Sequence, residues 1–131
     1  MATIRKSVSI EAPVDQVWSA VRDFGAVHRR LAPGILTDCR LEDARTRIVT
    51  FANGMVLKER LVSLEDAERR LVYSAVEGRA EHHNASWQVL GDGGQSRLVW
   101  VADVLPDEVA AQIEPLMEHG IAIMKQTLER A

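Results

Sequence analysis

The chain has 131 residues, enough for one domain to bury roughly two-thirds of its unfolded surface. Sixteen basic and 19 acidic residues give a net charge of −3 with no run of Lys or Arg, which argues against nucleic acid and anionic membrane as partners. Cys39 is the single cysteine, so no internal disulfide is possible, and no stretch approaches the ~20 apolar residues of a membrane span. A cytoplasmic location is expected.

Residues 3 to 11 alternate, with Ile4, Lys6, Val8 and Ile10 on one parity, and predict a first strand instead of a signal-peptide core. The period then changes. Pro13 suits a first helical position, Asp15 lies where the helix dipole favours an anion, and Val14, Val17, Trp18 and Val21 form one face before Gly25 closes the helix. A short second helix is expected over 26–31, ended by Pro33-Gly34.

Six strands follow, at 35–42, 46–53, 55–65, 69–77, 84–91 and 95–104. Asn53-Gly54, Glu65-Asp66-Ala67-Glu68 and Gly91-Asp92-Gly93-Gly94 are hairpin signals, so neighbours are antiparallel and the sheet is a meander. Asp107 opens a long helix to about Arg130, with a bend or restart expected at Pro115, where a missing N–H and a ring clash interrupt the ladder. About 24 residues make ~36 Å of helix, close to the ~33 Å of a ten-residue strand. One helix can therefore lie along the whole sheet, and residues 1–131 read as a single domain.

A strand has two faces, so parity assigns them. Met55, Leu57, Glu59 and Leu61 oppose Val56, Lys58, Arg60 and Val62, and the basic residues put the second set toward water. The inward sets of the next two strands are Leu71, Tyr73, Ala75 and then Ala85, Trp87, Val89. In the last strand the uncharged parity, Leu98, Trp100 and Ala102, is taken as inward. Ile113, Leu116, Met117, Gly120, Ile121, Met124 and Leu128 make a continuous apolar stripe on the long helix. An apolar helix face over a sheet with a few polar tips makes a ligand cavity.

Glu59 is the sharpest single feature, because an inward carboxylate is costly unless hydrogen-bonded or ligand-paired. Desolvation makes it a candidate general acid or base, or an orienting acceptor for a ligand hydroxyl; the bland alternative is a bond to Tyr73, an arginine or water within the core. Tyr73 is either an oxyanion donor or a core side chain with a satisfied tip. Trp87 is either a wall that stacks a ring or ordinary core.

Gly120 either leaves space for ligand or permits close packing against a strand. His82 and His83, beside Glu81, fall in the connection between two strands, where a solvated loop is the default and a cavity entrance the alternative. Adjacent histidines in a strand would point opposite ways, and no second His or Cys cluster completes a metal shell. No metal or cofactor is expected. His28 is placed near the mouth or in solvent, His119 on the surface, and Cys39, on the parity of Ile35, Thr37 and Leu41, is read as a buried small hydrophobe.

The element order resembles the helix-grip fold of the START and birch-pollen-allergen-like (SRPBCC) superfamily. Its bacterial polyketide cyclase/dehydrase and lipid-transport branch is similar in closer features: Ala12-Pro13-Val14-Asp15-Gln16-Val17-Trp18, Arg22-Asp23-Phe24-Gly25-Ala26-Val27-His28, Asn53-Gly54 with Glu59-Arg60-Leu61, Tyr73, and Trp100 before Pro106. The resemblance covers essentially the whole chain. It implies an α+β fold in which a seven-stranded antiparallel sheet wraps around a long C-terminal helix, with two short helices after the first strand and a hydrophobic cavity inside. Plant abscisic acid receptors resemble this layout more distantly, and their cavity-facing glutamate aligns with Glu59. Their proline-containing gate is replaced here by Phe51-Ala52-Asn53-Gly54, and no lysine lies between Gly25 and Glu42 to pair a ligand carboxylate.

The expected function is binding or carriage of a small hydrophobic or aromatic, lipid- or polyketide-like ligand. Its contacts would come from Leu57, Glu59, Tyr73, Ala75 and Trp87 on the sheet and from Ile113, Met117, Gly120, Ile121 and Met124 on the helix. The alternative is a cyclase- or dehydratase-type enzyme in which Glu59 moves a proton next to a carbonyl that Tyr73 polarises. A third reading is an interaction protein with a collapsed cavity, associating through its sheet, so a homodimer stays open.

Overall fold

The computed structural model describes residues 2–76, Gly78 and 80–131. Strand β1 (Ala2–Ile10) leads into α1 (Val14–Val21), a 3-10 turn (Phe24–Ala26) and α2 (Val27–Arg30). A meander follows: β2 (Leu36–Asp43), β3 (Thr46–Phe51), β4 (Val56–Glu65), β5 (Arg70–Ala75), β6 (His82–Asp92) and β7 (Gln95–Leu105). Helix α3 (Asp107–Arg130) closes the chain. The seven strands form one sheet in the order β1-β7-β6-β5-β4-β3-β2, every neighbour antiparallel.

Local chemistry accounts for the joints. The β6–β7 hairpin turns through Gly93 and Gly94, both at positive φ, the requirement of a two-residue turn that matches strand twist. Helix α1 is anchored through Trp18, whose buried ring sends Nε1–H to Asp66 Oδ1 in the β4–β5 turn at 2.8 Å. Asp66 also accepts from Arg22, and its carboxyl is held below the usual range by Arg22 first and Trp18 second.

The alternating faces set the core. Ile10, Leu71, Leu98 and Ala102 have no exposed surface, and each large aliphatic side chain so buried stabilises the fold by about 1.5–3 kcal/mol. Strand β7 turns Leu98, Ala102 and Val104 inward, with Trp100 on the same parity, as the uncharged pattern predicts. Lys6 shares the inward parity of β1 but lies beneath α3, where its ammonium meets Glu118 at 2.7 Å and Glu114 at 3.5 Å. Lys125 adds a second tie, donating to Ser9 O at 2.7 Å. Helix α3 is thereby fastened along the β1 side of the sheet.

Several details depart from the sequence reading. Helix α3 runs unbroken through Pro115; Ala111 and Pro115 are both exposed, so water can hydrate the carbonyl that loses its partner. Strand β2 begins at Leu36 and carries register shifts between Leu36 and Asp38 and between Leu41 and Asp43. These shifts leave Leu36 buried, Cys39 only half-buried and Leu41 exposed. Strand β5 ends at Ala75, and the part of the expected strand at residue 77 lies outside the described residues. Strand β6 starts at His82, so the two histidines belong to a strand and not to a connection.

Candidate functional site

The concave face of the sheet and the face of α3 between Val109 and Met124 border a cavity of about 670 Å³. That volume lies within the range of small-molecule sites. Leu57, Tyr73, Ala75 and Trp87 line it from β4, β5 and β6, and Ile113, Met117 and Met124 from α3. The mouth lies between the β3–β4 hairpin and α3, where Met55, Val56 and Leu116 are exposed apolar residues. Leu116, placed on the helix stripe from sequence, is thus a rim residue and not core.

Gly120 and Ile121 stand off the cavity wall. A Cβ on Gly120 would come within 3.2 Å of Trp100 Cζ3, so this position admits the Trp100 ring and supplies close packing instead of ligand space. Ile121 is buried in the core one residue on.

The polar end is built around a residue that the sequence reading passed over. Arg47 on β3 is 2 % exposed and lies directly across from Glu59 in the β3–β4 register. Its Nε donates to Glu59 Oε1 at 2.8 Å, Nη2 approaches the same oxygen at 2.8 Å, and Nη1 donates to Phe24 O at 3.1 Å. The guanidinium also stacks 4.1 Å from the Phe24 ring centroid and 5.2 Å from that of Tyr73. Both ion-pair partners are buried, so each supplies the other's missing solvation. Part of the signal was present in sequence: Arg47 shares parity with Val49 and Phe51, although a two-residue turn at Asn53-Gly54 would set Arg60 against it, and the observed turn, one residue longer, sets Glu59 there instead.

Tyr73 is buried, and its hydroxyl oxygen accepts from Trp100 Nε1 at 3.3 Å. Burial first, and the Glu59 charge second, push its phenol pKa far above the ordinary value. It is a hydrogen-bond donor at any physiological pH and never a phenolate. Trp87 stands between Tyr73 and Trp100, with ring centroids at 5.3 and 5.5 Å. Its own Nε1 finds no hydrogen-bond partner among the described residues.

The histidines separate as neighbours in a strand must. His83 lines the cavity on the parity of Ala85 and Trp87, whereas His82 is exposed. Burial, the largest cause, lowers the His83 pKa from its ordinary 6.5, with the Glu59 charge opposing it, so the ring is neutral at pH 7. His28 keeps a buried Nδ1 without a partner among the described residues, and the Cys39 thiol is pushed up by burial. Among the described residues no group of His, Cys, Asp or Glu is arranged to hold a metal ion, and no helix is long and apolar enough to cross a membrane.

Residues 1–130 match the family model described as polyketide cyclase/dehydrase and lipid transport. The chain belongs to this family. A solved Thermobifida fusca protein is 31% identical over 98% of this chain and 91% of its own, with a TM-score of 0.80. An uncharacterised Bacillus thuringiensis protein superposes with a TM-score of 0.86 at 20% identity, covering 97% of this chain and 98% of that one. A START superfamily protein from Mycobacterium smegmatis shares the fold at a TM-score of 0.74 and 14% identity, over 97% and 94% of the two chains. No curated protein sequence matches the chain. The seven-stranded sheet gripping α3 is the helix-grip fold of the START superfamily.

Proposed function

We propose that this family member binds a small, largely apolar, ring-containing molecule in the cavity between sheet and helix, with Glu59 orienting the ligand's polar end. The observation that carries the reading is the Arg47–Glu59 pair at the cavity wall. Arg47 occupies one carboxylate oxygen twice over, which leaves Oε2 as an acceptor with no partner among the described residues. Around it the surfaces are aromatic and thioether side chains, suited to stacking and to irregular shapes. The role is carriage or sequestration.

A cyclase- or dehydratase-type reaction is the second reading, favoured by the Tyr73 O–H and the His83 imidazole on the same wall. Tyr73 would donate to a carbonyl oxygen as charge develops there. Proton abstraction by Glu59 is disfavoured, because it would break the ion pair with a buried guanidinium.

Titration with the neutral, environment-sensitive dye Nile red tests the binding reading. One saturable site with blue-shifted emission, weakened about tenfold or more by Ala75→Trp at unchanged thermal stability, is the expected result. Absence of a saturable site, or binding indifferent to Ala75→Trp, would overturn it. Tyr73→Phe then separates the two roles: a carrier changes affinity alone, whereas an enzyme that polarises a carbonyl through this hydroxyl loses turnover by about a hundredfold or more.

A further inference from the structure

Glu59, Ala75 and His83 stand in one row across the concave face. The register pairs Glu59 with Ala75, and one rung beyond the last β5–β6 pair, Ser74 with Asn84, Ala75 faces His83. All three line the cavity. Two strand spacings separate the outer pair by about 10 Å between Cα atoms. Glutamate and histidine side chains are each long enough to reach in over the single methyl group between them, so that one ligand oxygen can hydrogen-bond to both. A larger residue at 75 would fill the slot.

The chemistry of the two tips is complementary. Glu59 Oε2, the oxygen that Arg47 does not bond, is an acceptor, and neutral His83 offers one ring N–H as donor. Neither imidazole nitrogen is engaged by another described residue. Among the described residues, the charged and titratable groups that face this slot are Arg47 from β3, Glu59 from β4, Tyr73 from β5 and His83 from β6, and Arg47 and Glu59 are paired with each other. Among the described residues, an ammonium or carboxylate entering here finds no unpaired counter-ion, and burying it so is costly.

The geometry points to a two-point recognition slot over Ala75 that selects a neutral hydroxyl on the ligand, alcohol or phenol, donating to Glu59 and accepting from His83. This rests on the cavity being a binding site and names the class of ligand it prefers. Ala75 acts as the spacer, and His83 is the specificity-determining residue.

The test compares two probes of one shape, naphthol and methylnaphthalene, titrated at neutral pH into the wild-type protein and His83→Phe by isothermal calorimetry. Naphthol is expected to bind wild type about tenfold more tightly, and its advantage to fall below about threefold in His83→Phe. The His83 imidazole nitrogen resonances of the wild-type protein should move by a hydrogen-bond-sized shift with naphthol and only by a ring-current shift with methylnaphthalene, which decides the matter if His83→Phe fails to fold. Equal affinities in the wild type, or an advantage that survives His83→Phe, would overturn the slot while leaving cavity binding intact. Binding of neither probe would overturn both.

Discussion

Arg47 and Glu59, on adjacent strands and buried to 2% and 6% exposure, hold each other through two 2.8 Å contacts to a single carboxylate oxygen. This relationship turns an expensive buried acid into a fixed acceptor. It also makes the pair vulnerable to the loss of either member.

Arg47→Met should destabilise the protein by about 3–5 kcal/mol, because it strands the Glu59 charge. Arg47→Met combined with Glu59→Leu should recover much of that loss, since the second change removes the stranded group. Urea unfolding of wild type, both single variants and the double variant measures the coupling. Additive losses would show that the contact contributes nothing of its own.

Tyr73 is the only tyrosine in the chain, so tyrosinate absorbance reports one site. Its folded pKa is raised above the ordinary 10.0, so its contribution to stability is complete below pH 10 and is lost as pH rises. No tyrosinate signal should develop through the ordinary range while the fold persists, and the signal should appear together with alkaline unfolding. A reversible titration near 10 in the folded protein would contradict the burial of this group.

His83 gives the opposite pH dependence. Its folded pKa is lowered from 6.5, so the unfolded chain binds the proton more readily and stability rises with pH. The contribution is complete above 6.5 and is lost as pH falls through the lowered folded value. Wild type should therefore lose stability faster than His83→Gln over this acidic window, measured by denaturant midpoints at several pH values.

Gly120→Ala should destabilise despite a gain of about 1 kcal/mol in helix propensity. The added methyl meets Trp100 at 3.2 Å, and that ring is held by Tyr73 at 3.3 Å and packed on Trp87. Overpacking costs of about 1–3 kcal/mol leave a net loss of about 1 kcal/mol, with altered tryptophan fluorescence. Stabilisation would mean that the ring moves freely.

Much of this architecture is legible in the residues, because period-2 patterns and Gly-containing turns act over short distances. The inward facing of Glu59, Tyr73 and Trp87 follows from parity alone, whereas their register does not, because a bulge between Leu61 and Ser63 shifts the β4–β5 pairing. Arg47 escaped because a positive charge reads as solvent-facing until its partner is placed opposite. His83 reads first as a loop residue and only second as one at a cavity entrance, because strand β6 extends two residues earlier than its apolar alternation, held by pairing with Leu105 and Val104. Gly120 illustrates a third limit. Its neighbour Trp100 is twenty residues away, and nothing in the helix pattern reveals which strand residue a missing side chain admits.

The most direct test of cavity binding is native mass spectrometry of the freshly purified protein, followed by organic extraction of whatever travels with it. A stoichiometric adduct that is lost on denaturation, neutral, ring-containing and hydroxylated on extraction, is the predicted result. A bare protein mass that stays bare after incubation with naphthol would contradict the central claim.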